Sequence, residues 1–378
     1  MTISLDEIAR RADRFWVPEQ LPELLPHGDA AHRRGTLLEL GASREKRPIY
    51  GVRVGQGPER LSLLAGAHAD EPVGPSTLLG LCRWLEESPE APRLLEGATF
   101  FICPHVNPDG AHRNRAWTSR ADFGLREYLE DVEREVPGDD VEFGYPSEEG
   151  ATVRPENRAV ADFLERGARP DGKGRGPRGF QFHASLHGMA IAEGAWFLID
   201  RASVPRTAGL RADLAQVCRR LGVPLHDWDR RGEKGFERIA PGFSTTPTST
   251  AMRRHFEELG DRTTAGLFRP SSMEFVASLG GAPLAMVSEV PLFLVTPSPP
   301  DAPRLGHHFL EARDALVEAR LALAAEGVER SAASVALARL EERFGLERLP
   351  HETAVRLQLA MIFLGSGLAT LDDLDLAP

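Results

Sequence analysis

"LSLLAGAHADEPVGPSTLLGLCRWLEES", residues 61–88, runs from an apolar stretch through a polar junction into a helical pattern. Residues 61–67 form a short continuous apolar run, the pattern of a strand covered on both faces. Beyond the junction Leu78, Leu81, Cys82 and Leu85 recur at i, i+3, i+4 and i+7, which puts them on one apolar helical face. At the junction itself stand His68, Asp70 and Glu71. The His-x-x-Glu spacing admits two readings on its own: a metal-binding pair, or the polar end of a strand.

Outward from this stretch the same alternation continues. Strand patterns are expected at 36–40, 49–54, 61–67, 99–104, 180–187, 195–199 and 284–290, with helical patterns between them. Alternation of this kind argues for an α/β fold, a sheet covered by helices. "TPSPPDAP" (296–303) reads as a linker. After it the pattern is helical only, roughly over 304–325, 331–344 and 351–364, so a catalytic domain over 1–300 is expected to carry a helical C-terminal extension over 301–378. The Gly/Pro/Arg stretch 169–179 contains Gly-x-Gly-x-x-Gly from Gly174 to Gly179. A dinucleotide fingerprint must follow a strand and open a helix, whereas this one carries Pro177 and leads into a strand pattern.

Composition narrows the function classes. With 42% apolar and 27% charged residues over 378 positions, the chain is an ordinary globular protein with room for a large core. A net charge of −11 disfavours nucleic acid or an anionic membrane surface as a partner. The N-terminal residues lack the apolar run of a signal peptide, and a cytoplasmic protein is expected. Cys82, Cys103 and Cys218 are far apart and set among apolar residues, so buried free thiols are expected rather than disulfides or a zinc-thiolate site.

Four of the expected strands end in, or contain, residues suited to chemistry. His68 and Glu71 follow 61–67, Asn107-Pro108-Asp109-Gly110 follows 99–104, His187 closes 180–187, and Glu289 lies near the end of 284–290. In open α/β sheets, ligands bind beyond the carboxyl ends of strands. If these strands are neighbours, two histidines and three carboxylates converge. Two imidazoles and one carboxylate are a recognised catalytic zinc set. A carboxylate off the metal is still required to take a proton from water and deliver it to the leaving nitrogen. His183 shares a strand face with His187 and competes for the ligand role, a core position being its other reading. His307-His308 reads as a helix-surface pair, and no Gly-x-Ser-x-Gly elbow is present.

"HADE", "CPHVNPDG", "SLHG" and "MVSEV", in that order, resemble the zinc carboxypeptidase family, and the lead-in "LGASREKRPIYGVRVG" is similar to the family's segment before the first ligand. The resemblance covers about residues 35–300. It implies a mixed central sheet with helices on both faces, and one Zn2+ ion on His68, Glu71 and His187. Asp70 then fills the variable position between the first two ligands. The resemblance further implies Glu289 as the catalytic glutamate and the Asn107–Gly110 turn behind the ligands. Asp109 is expected to orient His68 by accepting its second ring N–H.

The family's arginines are harder to match. Asn114-Arg115 resembles its Asn-Arg pair but stands close to the turn. Arg113, Arg115 and Arg120 are candidates for polarising the scissile carbonyl, with Arg115 the catalytic choice. Arg154 and Arg269 are candidates for gripping a carboxylate. Met273, in "SSMEF", resembles a residue of the specificity pocket and would favour an apolar or neutral group. The family's loop tyrosine has no counterpart among Tyr50, Tyr128 and Tyr145.

The expected function is zinc-dependent hydrolysis of peptide or amide bonds, as a carboxypeptidase on short peptides. Two alternatives stand beside it. One is a deacylase or amidase of small amino-acid conjugates using the same site. The other is a catalytically silent member that binds peptides, against which the retained Glu289 argues.

Overall fold

A computed structural model describes residues 2–25, 34–120, 122–147, 152–169, 179–324 and 330–376. The main sheet is built from β1 (Gly35–Ala42), β2 (Pro48–Gly55), β3 (Glu59–Ala65), β4 (Ala98–Cys103), β5 (Phe182–Ala192), β6 (Trp196–Ile199), β7 (Arg238–Ala240), β8 (Phe243–Thr245), β9 (Leu284–Leu294) and β10 (Glu347–Arg348). Their spatial order is β1-β2-β4-β3-β5-β9-β6-β8-β7, with β10 paired to β9 beside β6. The four central strands β4, β3, β5 and β9 run parallel, while β1, β2 and β6 join through antiparallel pairings. The sheet is therefore mixed.

The central strands explain their own sequences. Parallel strands covered by helices on both faces read as continuous apolar runs, and all six residues of β4 are buried, as are the last five of β3. Helices α1 (Val73–Glu87), α2 (Pro155–Ala168) and α3 (Ala208–Arg220) pack on this frame. β3 ends at Ala65 because Gly66 turns the chain with φ +71°, and a Cβ there would lie 2.5 Å from the His105 ring. That turn carries the chain out of the sheet just before His68.

The seven expected strands all form. Five further short strands occur among the described residues: β7, β8, β10, which lies in a region read as helical only, and the parallel pair Ile3–Ser4 and Leu374–Asp375. The helices of the C-terminal region run His307–Ala324, Arg330–Phe344 and α4, His351–Gly365. Residues Ala354–Leu364 of α4 are buried without exception, and the helix packs against α1, α3 and β9. A helix apolar on every side is a core element, so α4 sits inside the main hydrophobic core. The three cysteines are free and buried. Among the described residues no helix is long and apolar enough to cross a membrane. The Gly174–Gly179 motif lies almost wholly outside the described residues.

Candidate active site

The end of β3 and the middles of β5 and β9 meet at one rim, since β5 and β9 run on past His187 and Glu289 instead of ending there as the apolar runs imply. β5 and β9 are parallel with His187 and Glu289 as register partners, and β3 pairs with β5 as far as Ala65 and Leu186. Side chains at paired positions leave the sheet on the same face, so His187 and Glu289 stand side by side. The Gly66 turn brings His68 and Glu71 over them.

The donor atoms converge. His68 Nδ1 lies 2.8 Å from Glu71 Oε1, and His187 Nδ1 lies 2.8 Å from Glu71 Oε2 and 3.1 Å from His68 Nδ1. One ligand atom from each residue falls within a 4.8 Å cluster. Two imidazole nitrogens and a carboxylate aimed at one point fit the donor set of a zinc ion. The other ring nitrogen of His187 is already occupied, Nε2 standing 2.9 Å from Ser185 Oγ and 3.0 Å from Glu142 Oε2. That leaves Nδ1 as the inward nitrogen, the orienting arrangement usual for metal-bound histidines. Burial pushes the Glu142 carboxyl up, but the His187 ring outweighs it and holds the group below its usual range.

Glu289 lines the same cleft, and burial, reinforced by the neighbouring Glu71 charge, raises its carboxyl to about 8. A cation among the three ligands would act in the opposite direction. Arg134 closes the other side, its Nη1 lying 3.1 Å from both Glu71 Oε1 and Asp70 Oδ1. Asp70 also accepts the Tyr128 hydroxyl at 3.1 Å. Asp70 is thus no neutral filler between the ligands, since it anchors the arginine that faces them.

The cleft encloses about 400 Å³ and reaches from the ligand cluster to a wall of Trp196, Trp228, Phe236 and Phe309, with Arg230, Lys234 and Arg313 among its cations. The Arg230 guanidinium lies 4.7 Å from the Trp228 ring centroid and 4.3 Å from that of Phe236. Met273 lines the cleft as expected, packed in a cluster with Trp196, Leu198 and Val287.

Several expectations need correction. None of Arg113, Arg115, Arg120, Arg154 and Arg269 lines the cleft. Arg113 pairs with Glu45, and Arg115 opens the short helix Arg115–Thr118. Arg120 lies 3.9 Å from Asp131. Arg154 bonds the Asp139 carbonyl and lies 3.4 Å from Glu156, and Arg269 donates to the carbonyls of Gly266 and Phe268. Local acceptors hold Arg113, Arg120, Arg154 and Arg269 away from the rim. Asp109 does not orient His68, because its carboxylate accepts from Ser43 Oγ at 2.6 Å and the Glu45 amide at 3.0 Å and so fastens the β1–β2 turn. Asn107 caps the helix Pro108–Arg113 through the Gly110 amide and donates to the Ala67 carbonyl and to Glu135. It therefore braces the backbone just before His68. His183 is no ligand: it is fully buried between Ser62 Oγ at 2.8 Å and Ser272 Oγ at 3.1 Å, and burial lowers its pKa to about 4.

Arg134, Glu142 and Arg230 were not singled out in the sequence. The first two lie in the charged stretch "EDVEREVPGDDVEF" and the third in "WDRRGEKGF". The only signal for Arg230 was its place between two aromatic residues.

Comparison with known proteins agrees with the geometry. The zinc carboxypeptidase family model matches residues 29–191. Zinc carboxypeptidase A 1 of Drosophila melanogaster is 33% identical over 104 residues, 24% of this chain and 24% of that protein. Human carboxypeptidase D is 31% identical over 88 residues, 20% of this chain and 6% of its own length. The alignments thus span about a quarter or less of either relative. Among solved structures, a metallo-carboxypeptidase from Burkholderia cenocepacia is similar with a TM-score of 0.42 and 14% identity, covering 89% of this chain and 64% of that one. The stretch matched by the zinc carboxypeptidase model, residues 29–191, includes His68, Glu71 and His187.

Proposed function

We propose that the chain is a zinc-dependent hydrolase of amide bonds that acts as a carboxypeptidase on short peptides. The observation that carries this reading is the convergence of His68 Nδ1, His187 Nδ1 and the Glu71 carboxylate, with Glu289 in register beside His187. A zinc ion held there supplies Lewis acidity, which polarises a carbonyl and makes water nucleophilic near neutral pH. His68, Glu71 and His187 hold the ion, and Glu142 fixes the ring of His187. Glu289 takes the proton of the attacking water and passes it to the leaving nitrogen, the task of a carboxyl enclosed by protein beside the reacting atoms. Arg134, held next to Glu71 by Asp70, supplies the cation beside the developing oxyanion, the role first sought at Arg115.

Arg230 favours the carboxypeptidase reading over the amidase. Its guanidinium lies against two rings with Nη2 2.9 Å from Glu233 Oε1. Unlike Arg113, Arg115, Arg120, Arg154 and Arg269, it lines the same cleft as the ligands, where a planar guanidinium can bind a carboxylate through two parallel hydrogen bonds. A substrate without a free carboxylate would not make that pair. Metal analysis should find one zinc per chain. A screen of N-blocked dipeptides should find turnover that falls about a hundredfold when the C-terminal carboxylate is amidated, the loss of a charged hydrogen-bonded pair of roughly 3 kcal/mol. Equal turnover of the amides would support the amidase, and zinc without turnover of any amide would support the silent peptide-binding form.

A further inference from the structure

We infer that Gln358, on the C-terminal helix α4 and outside the stretch matched by the family, is a positioning residue for the candidate metal centre. The inference rests on the reading of His68, Glu71 and His187 as that centre. Gln358 is fully buried and, with Arg356, one of two polar residues in the otherwise apolar buried run Ala354–Leu364. Its Nε2 donates to the backbone carbonyl of His187 at 3.0 Å and to Ser288 Oγ at 3.2 Å, and its Oε1 accepts from Thr77 Oγ1 at 2.6 Å. One amide thus touches the residue that carries a ligand, the residue before Glu289, and the helix α1 that follows the His-x-x-Glu junction.

The topology explains why such a brace is required. β3 and β5 are paired only to Ala65 and Leu186, because the Gly66 turn takes the chain out of the sheet to place His68 and Glu71. β5 continues past that last rung with β9 on one side, and His187 is the first residue beyond it. The geometry that delivers the first two ligands thus removes the strand neighbour of the third. His187 keeps β9 as its one strand partner, and the Gln358 amide adds a donor to its carbonyl from α4. It fixes the peptide plane of His187 and ties it to β9 at Ser288, so the separation of His187 and Glu289 is set from both strands. The Thr77 hydroxyl in turn fixes which way round the amide sits.

The test measures zinc affinity by competition with a chelator, together with thermal stability, on the full chain. Gln358→Met keeps the length and removes the donor, and zinc should bind at least tenfold more weakly, within the range seen when groups behind metal ligands are removed. Thr77→Val leaves Gln358 in place and removes its orienting donor, along with the contact of the same hydroxyl to the Val73 carbonyl within α1, so a smaller loss of the same sign is expected. It also keeps the proposal testable if Gln358→Met fails to fold. Met361→Ala, a fully buried apolar truncation on the same helix, should lower stability and leave zinc affinity within twofold. Zinc held by a folded Gln358→Met or by Thr77→Val as tightly as by wild type overturns the inference alone, as does a zinc loss in Met361→Ala that matches its stability loss. A wild-type chain that binds no zinc overturns the metal-site reading as well.

Discussion

The two ends of the cleft are built on different principles. At the ligand end, side chains are placed by the sheet: His187 and Glu289 are register partners, and His68 and Glu71 follow the end of the adjacent strand. At the far end, Trp228, Arg230, Lys234 and Phe236 come from one irregular segment whose backbone is strained. Arg231 and Lys234 adopt left-handed φ values of 53° and 56°, beside Gly232 and Gly235 at 81° and 89°. A non-glycine residue in that region costs on the order of 1–3 kcal/mol and persists only where its surroundings over-determine it. On the proposed function this is a division of labour, with chemistry set by sheet register and recognition by the strained loop. It can be broken by variants that strike one end and leave the other intact.

The largest effect should come from the ligand end. Glu289→Gln removes the proton acceptor while keeping shape, so kcat on an N-blocked dipeptide should fall by roughly 10² to 10⁴, with one zinc per chain retained. Activity within tenfold of wild type would show that another group is the base. At the far end, Arg230→Ala should raise KM about a hundredfold with kcat changed only a few-fold, because it removes binding shared by ground and transition states. An equal loss in kcat would mean that Arg230 contacts the reacting centre, and the division between the two ends would not hold.

The same division explains what could be read from the sequence. The four central strands were legible because parallel strands covered on both faces leave continuous apolar runs. His68, Glu71, His187 and Glu289 were legible because histidine and glutamate are uncommon within or just after such apolar runs and recur in one order, although β5 and β9 extend well beyond His187 and Glu289. Arg134, Glu142 and Arg230 follow no such periodicity. The segment around Arg134 and Glu142 is positioned by contacts distant in sequence, such as Asn114 on both backbone groups of Glu133, and the Tyr145 amide on the Pro270 carbonyl. Arg113, Arg115 and Arg120 looked eligible by proximity to the Asn-Pro-Asp-Gly turn, yet no pattern in the sequence shows that Glu45 claims Arg113. Gln358 did leave a trace, as the polar residue within "LQLAMIFLG", but its partners lie 70 to 281 residues away.

Between the extremes stands Glu142, which acts on the ligand end from a loop. Glu142→Gln keeps a hydrogen-bonding group near His187 Nε2 and removes the charge behind the ring. Zinc affinity should fall about tenfold or somewhat more, with KM for the dipeptide little changed. Unaltered zinc affinity would assign the placement of His187 to Ser185 and Gln358 alone.

The smallest expected effect separates the histidines of the two ends. His187 is flanked by Glu142 and Glu71, whereas His226, behind the far wall, is fully buried against the rings of Trp196, Trp228 and Phe309. Neither of its ring nitrogens has a hydrogen-bond partner among the described residues, and Nδ1 is 3.9 Å from Glu193, too far for one. Burial holds its pKa down to about 3, against an ordinary value of 6.5. The unfolded chain therefore takes up a proton near pH 6.5 that the folded chain refuses until about pH 3. The stability linked to this residue is fully present above pH 6.5 and is lost as pH falls through that window. Going from pH 7.5 to 5.5, wild type should lose about 1.4 kcal/mol more than His226→Leu, since one pH unit below the unfolded pKa corresponds to that energy. The other buried histidines are common to both chains and cancel in the difference. Denaturant unfolding of metal-free protein at the two pH values measures it, and parallel stability changes in the two chains would mean that His226 is protonated in the fold and bonded to a partner there.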